Sequence, residues 1–180
     1  MNKQKGITIR DICHIGIFTA VIAACAQISI PMPYAVPMTL QTLAVPLAGI
    51  ILGAKKGSLS VLVYVLIGIV GVPVFSNFSG GPGVISGPTG GFLLSFPLSA
   101  LITGIGSRKN KRLYLTLSLI TGAVVNYLCG MLFFAAVMSS GLKTAFVACV
   151  LPFIPSEIIK IVLVAALGIN FKTALLKIMS

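Results

Sequence analysis

Apolar residues run through this chain in long blocks, neither alternating as in a half-buried strand nor confined to one stripe as in a surface helix. The blocks cover residues 12–30, 38–52, 59–72, 92–105, 113–138 and 153–169, and short stretches rich in Gly, Pro or basic residues separate them. A helix that crosses a bilayer needs about 20 predominantly apolar residues. The pattern therefore predicts six membrane-spanning helices, the third and fourth with the least defined ends. Pro31, Met32, Pro33 and Pro37 are expected to end the first helix, and Gly53 the second, just before Lys55 and Lys56. Short links make consecutive helices antiparallel neighbours. The stretch 141–151 is too short to span and is expected to form a helix at the outer surface. The expectation is an all-α membrane protein, a six-transmembrane-helix bundle in one domain over residues 1–180.

Composition strengthens this reading. The 180 residues are 57% hydrophobic and 8% charged, against about 25% charged in soluble domains, and the links leave no room for a separate soluble unit. The net charge of +11 comes from 13 basic and two acidic residues. In a soluble chain that balance would point to nucleic acid, but here the basic residues sit in the links, so the partner is the lipid bilayer. With the N-terminus inside, Lys3, Lys5, Arg10, Lys55, Lys56, Arg108, Lys109, Lys111, Arg112, Lys172 and Lys177 all fall on the cytoplasmic side. Lys143 alone lies outside, and Lys160 lies within the sixth span. That asymmetry predicts an N-in, C-in orientation, whereas five or seven spans would scatter the charges. The basic start leads into an apolar run too long for a secretory signal and without a small-residue cleavage site, so it is expected to stay as the first span.

Cys13, Cys25, Cys129 and Cys149 have neither metal-ligand spacing nor a paired framework, and read as small apolar residues. The cluster Asp11-Ile12-Cys13-His14 is too weak for a metal site, since a lone His at a helix start is usually structural. No metal is expected. Two links stand apart: 31–37 and 73–88 carry no charge and are rich in Pro, Gly, Ser and aromatic residues. Irregular backbone near the membrane is tolerated where it packs on protein or lines a cavity, which makes these links candidate lids over an outward-facing pocket. Tight surface turns are an equal alternative on these residues alone.

Glu157 is the one acidic residue inside an apolar block, and Lys160 follows three positions later on the same helix face. Insertion scales put each such charge at about 2.5 to 3.5 kcal/mol at the helix centre, so a retained pair faces the interior and marks a site or pathway. The other role is a neutralising pair that holds helices together. In the orientation above, Glu157 lies in the first turn of the sixth helix, beneath the uncharged links. There a carboxylate is favoured, and the free N–H groups suit an anionic ligand group. Thr39, Gln41, Asn77, Thr89 and Asn126 are further intramembrane polar residues able to make directed hydrogen bonds. Taken singly, each is more often helix glue than ligand contact. Gly16, Ala20 and Ala24 form a smooth stripe that lets another helix approach, from a partner or from the same bundle. The chain has no Gly-x-x-x-x-Gly-Lys-Ser/Thr loop, no His-Glu-x-x-His motif and no nucleophile beside a base, so ATP hydrolysis and other enzyme chemistry have little support. Active transport would need a partner that supplies energy.

Four segments carry a family resemblance: Pro37-Met38-Thr39-Leu40-Gln41-Thr42-Leu43-Ala44-Val45-Pro46-Leu47-Ala48-Gly49, Gly71-Val72-Pro73-Val74-Phe75, Gly87-Pro88-Thr89-Gly90-Gly91-Phe92, and residues 152–160. Together they resemble the BioY family, the biotin-specific substrate-binding (S) components of energy-coupling factor (ECF) transporters, over nearly the whole chain. The resemblance implies a multi-pass cell-membrane protein that binds biotin from outside. It also implies docking on a membrane coupling protein, the T component, which two cytoplasmic ATPases drive. By the same resemblance Glu157 and Lys160 contact biotin and the first and third loops cover it. The pocket is expected to be mostly apolar, with Thr39, Gln41, Asn77, Thr89 and Asn126 supplying further polar contacts and Phe75 and Phe92 among its lining. Gly16, Ala20 and Ala24 resemble the docking surface. Biotin is then cargo, and no cofactor is implied. Its ureido group offers two donors and a carbonyl, and its tail a carboxylate, so Lys160 suits either end. Two departures stand out: the family usually has Asp where this chain has Glu157, and Tyr where it has Phe92. The longer acid shifts a ligand by about one methylene, and the missing hydroxyl removes one possible hydrogen bond. An S component for another vitamin or a biotin precursor, a membrane-embedded enzyme using Glu157 as general base, and a purely structural bundle are the remaining alternatives.

Overall fold

The computed structural model describes residues 8–32, 36–109 and 111–179, with side chains as far as Ala166. Lys3, Lys5 and Pro33, and the side chains of Lys172 and Lys177, lie outside the described residues. Helix α1 (Ile9–Gln27) begins in a capping box: Asp11 N–H donates to Thr8 Oγ1, and the Asp11 carboxylate accepts from Thr8 N–H. Lys56 Nζ, 2.5 Å from Asp11 Oδ1, ties this start to α3 (Ala54–Ile69). The first apolar block does not stay helical to its end. Ser29–Ile30 (β1) pairs antiparallel with Met38–Thr39 (β2), so the first link is closed by a short ladder. A bilayer-averaged apolar run is compatible with either geometry, which is why the pattern alone extends the helix too far.

Helix α2 (Gln41–Leu52) follows, contains Pro46, and stops at Gly53, whose φ of 81° suits a residue without Cβ. The chain turns there directly into α3. Lys55 and Lys56, expected in a link, therefore lie in the first turn of a helix. Helices α2 and α3 have 12 and 16 residues, about 18 and 24 Å at 1.5 Å per residue, and are shorter than a bilayer core of about 30 Å. A loop holding a 3-10 turn at Ser76–Phe78 and the single-turn α4 (Pro82–Ile85) leads to α5 (Gly90–Gly106). The rest is α6 (Arg112–Val137), α7 (Leu142–Cys149), a 3-10 turn at Leu151–Phe153 and α8 (Ile154–Met179). Among the described residues, four stretches are long and apolar enough to cross a membrane: Ile9–Gln27, Gly90–Lys109, Arg112–Val137 and Leu142–Ala166.

Helix α5 is central and packs on α2, α3 and α6. Small residues make that possible. A Cβ on Gly49 would strike the Ala100 carbonyl, one on Gly57 the Ala48 and Gly49 backbone, and one on Gly104 the Ala54 backbone. Without a hydrophobic drive between helices in lipid, association relies on the van der Waals packing that such close backbone approach allows, together with interhelical hydrogen bonds and lipid entropy. Thr19 Oγ1 lies 2.9 Å from both the Ile15 and Ser60 carbonyls and links α1 to α3. The outer faces are apolar: Leu117, Ile120, Val124 and Leu128 on α6, and Ile154, Ile158 and Val162 on α8, are exposed. Ser60, Ser99, Thr103 and Asn126 are buried instead, the arrangement a lipid solvent favours. Gly16, Ala20 and Ala24 are exposed, and a Cβ at Gly16 would meet nothing.

Candidate ligand-binding site

A hollow opens between the start of α2, the N-terminal half of α5, and α8. Thr39, Gln41 and Thr42 form one wall, with Phe92, Leu93 and Phe96 of α5 opposite. Tyr127 of α6, Phe153 and Lys160 close the sides. Both uncharged links contribute: Val36 and Pro37 from the first, Phe75, Ser76, Val84 and, just beyond, Thr89 from the second. The lining is mostly apolar with a few convergent polar groups, as small-molecule sites usually are. Phe75 and Phe92 seat against glycines, their rings lying where a Cβ on Gly68 or Gly130 would be.

The charged pair sits at the edge of this hollow. Lys160 Nζ is 3.8 Å from Glu157 Oε2, and the two side chains are only 11% and 13% exposed. Neither group depends on the other alone. Lys160 Nζ donates to Thr42 Oγ1 at 2.5 Å and reaches the Thr39 carbonyl at 3.5 Å, both at the start of α2. Glu157 Oε2 accepts from the Tyr127 hydroxyl of α6 at 3.1 Å. The pair thus fastens α8 to two other helices while its ammonium faces the hollow. A buried pair needs such extra hydrogen bonds to offset desolvation. Glu157 itself lines a second, smaller hollow with Ser99, Asn126 and Tyr127, one turn deeper along α5.

The other polar residues of the wall form a chain. Thr39 Oγ1 donates to Gln41 Oε1 at 3.0 Å, Gln41 Nε2 donates to the Tyr64 hydroxyl, and Tyr64 donates to the Val74 carbonyl at 3.2 Å. Tyr64 also meets Phe75 edge-on, centroids 5.5 Å apart. Gln27, at the end of α1, holds the far side of the same loop. Its Nε2 donates to the Val74 and Phe75 carbonyls at 3.3 and 3.1 Å, and its Oε1 accepts from Phe78 N–H at 2.9 Å. Asn77 and Phe78 have φ of 56° and 54° there, a region that disfavours side chains and persists only where surrounding contacts fix it. Gln27→Ala should therefore free this turn: amide hydrogen exchange at Phe78 should rise by about fivefold, the loss of one hydrogen bond of roughly 1 kcal/mol. Unchanged exchange would show that Gln27 does not hold the loop.

Of the residues singled out from sequence, Thr39, Gln41, Phe75, Thr89, Phe92 and Lys160 meet around one hollow, and Glu157 stands beside it. Asn77 is exposed, and its Oδ1 accepts from Ser29 Oγ at 2.8 Å. Asn126 is buried and donates to the Phe92 carbonyl and to Ser95 Oγ, joining α6 to α5. Sequence reasoning passed over Thr42, Tyr64, Tyr127 and Gln27. One signal was available: a phenol within a spanning helix must find a hydrogen-bond partner, and Tyr64 and Tyr127 are two such residues.

Fold and site together define a helical membrane protein with a largely apolar hollow, walled by loops and edged by an ionic pair, whose lining has the mixed character of a small-molecule site. The chain belongs to the BioY family, which matches residues 1–177. Among curated relatives, the probable biotin transporter BioY of Pyrococcus horikoshii is 42% identical over 151 residues, covering 84% of this chain and 89% of that protein. The biotin transporter BioY of Thermotoga maritima is 38% identical over 167 residues, covering 91% and 96%. In fold the chain is similar to the S-component for biotin from an ECF-type ABC transporter, solved by crystallography at 2.1 Å, with a TM-score of 0.84, 22% identity, and coverage of 96% of this chain and 94% of that one.

Proposed function

We propose that this chain captures biotin for uptake, as the substrate-specific subunit of an ECF-type ABC transporter in the cell membrane. The observation that carries the reading is the Lys160–Glu157 pair, buried at the edge of a mostly apolar hollow whose walls include both uncharged links. Family membership and the named biotin transporters among its relatives support the choice of ligand. Biotin's bicycle suits the aromatic wall. Lys160 serves its carboxylate or its ureido carbonyl, while Glu157, Thr39, Gln41 and Thr89 answer its remaining polar groups. Asn77, through the turn it ties to Ser29, and Asn126, through the α5 contact it fixes, support that pocket.

In this reading one domain forms six membrane segments, α1, α2, α3, α5, α6 and α8, oriented N-in and C-in by the positive-inside asymmetry. The links 31–37 and 73–88 act as lids on the outer side. The chain carries no ATPase of its own; a T component and two cytoplasmic ATPases supply the energy. The exposed Gly16, Ala20 and Ala24 offer a smooth docking face to the coupling protein. Titration calorimetry of the purified protein in detergent with biotin, thiamin and riboflavin tests the assignment. Tight binding of biotin alone is expected. Selective binding of another vitamin would move the chain to a different substrate, and no binding by well-folded protein would remove the reading.

A further inference from the structure

A third cavity lies on the other side of the ligand wall, and one residue stands between the two. It is an apolar groove between α6 and the α7–α8 segment, formed by residues such as Ile120, Val124, Leu128, Phe146, Ile154 and Ile158. All six of these are exposed on the outer surface of the helix bundle, so in a membrane the groove opens toward lipid. Its floor contains Tyr127 and Glu157. Among the described residues, Tyr127 is the one that lines both this groove and the hollow bearing Lys160, and it lines the second polar hollow as well.

Tyr127 is held from three directions. Its ring meets Phe92 edge-on, centroids 6.2 Å apart at 81°, and Phe153 at 6.2 Å and 45°. Its hydroxyl donates to Glu157 Oε2 at 3.1 Å. The ring is thus wedged between an α5 aromatic and the turn that begins α8, and the hydroxyl anchors the carboxylate three residues from Lys160. We propose that Tyr127 is a specificity-determining partition: its ring bounds the ligand pocket against the lipid-facing groove and so limits ligand size, while its hydroxyl positions Glu157. This rests on the hollow being the ligand pocket. The two parts of the side chain then have separable roles. The ring excludes any ligand carrying a substituent directed at α6, and the hydroxyl sets affinity for ligands that already fit.

The test compares biotin with two enlarged probes, a biotin alkyl amide and an N-alkylated ureido analogue, so that whichever end faces α6 is extended. Binding is measured to the native chain and to Tyr127→Phe, Tyr127→Leu and Tyr127→Ala, with Leu128→Ala, which lines only the groove, as control. Thermal unfolding and monodisperse elution establish folding, and the Leu variant stands in if the Ala variant does not fold. Tyr127→Phe is expected to weaken biotin about tenfold, one hydrogen bond to a charged group, without admitting either probe. Tyr127→Leu or Tyr127→Ala is expected to raise the affinity of at least one probe relative to biotin by about tenfold or more, the scale on which a pocket discriminates a methylene or two. Leu128→Ala should leave that ratio unchanged. If the native chain binds biotin but folded Leu and Ala variants keep the native ratio, the partition role is overturned. If folded Tyr127→Phe binds biotin as the native chain does, the positioning role is overturned. If the native chain binds no biotin, the pocket assignment fails and the proposal falls with it.

Discussion

Replacing Lys160 by alanine is expected to weaken biotin binding by about 100-fold or more in protein that still folds. A hydrogen bond from a charged donor contributes about 1.5 to 3 kcal/mol, and each 1.4 kcal/mol is about tenfold in affinity. The ammonium also makes the 2.5 Å contact to Thr42 that fixes the start of α2 against α8, so its loss loosens a second part of the same wall. Glu157 would remain with the Tyr127 hydroxyl but without its cation, in surroundings where an uncompensated charge is unfavourable. Stability and binding therefore need to be separated. The double variant Lys160→Met with Glu157→Leu does so, because replacing a buried pair by apolar residues of similar size often restores stability. Calorimetry on the folded double variant should still find no biotin binding. Native affinity in either variant would reduce the pair to a structural device and remove the residue on which the binding reading chiefly rests.

Gly49→Leu should prevent the chain from reaching its folded state, or leave it destabilised on the order of 3 kcal/mol, the scale of strong overpacking. The first atom of the new side chain would meet the Ala100 carbonyl, with Thr103 Oγ1 close behind. A backbone carbonyl within a helix has little freedom to give way, so α2 and α5 would have to separate. Gly57 packs on the Gly49 backbone and Gly104 on that of Ala54, which means the same displacement would also open the α2–α3 and α3–α5 contacts. Gly16→Leu is the matched comparison, since nothing lies within 4 Å of a Cβ there. It should elute and melt like the native chain, while reducing assembly with the coupling protein if the proposed docking face is correct. Size-exclusion chromatography and thermal unfolding in detergent read both outcomes. A Gly49→Leu variant as stable as the native chain would show that close approach at this point does not hold the three helices together.

The sequence by itself determined that this is a helical membrane protein, because burying 57% apolar residues with 8% charge leaves few other solutions and lipid requires every backbone group to be paired within the segment. It also singled out Glu157 and Lys160, since a charge kept in an apolar block must have a reason, and it marked the two uncharged links that prove to line the hollow. Hydropathy averages over the length of a span, however, and does not register conformation. It ran the first helix through Ser29 and Ile30, which are paired strand, and it read Lys55 and Lys56 as a link where a glycine at positive φ lets α3 begin at once. Only the tertiary structure decided which polar groups meet. Thr42 lies 118 residues from Lys160, Tyr127 lies 30 from Glu157, and Gln27 lies 48 from the Phe75 carbonyl that it binds. Such pairings depend on how helices cross, and no local spacing encodes them. Asn126 and Tyr127 show the same limit: adjacent polar residues on one helix, the first turned to hold α5 and the second lining both the hollow and the outer groove while it donates to Glu157, a difference set by the direction of each side chain around the helix axis and by what stands opposite it.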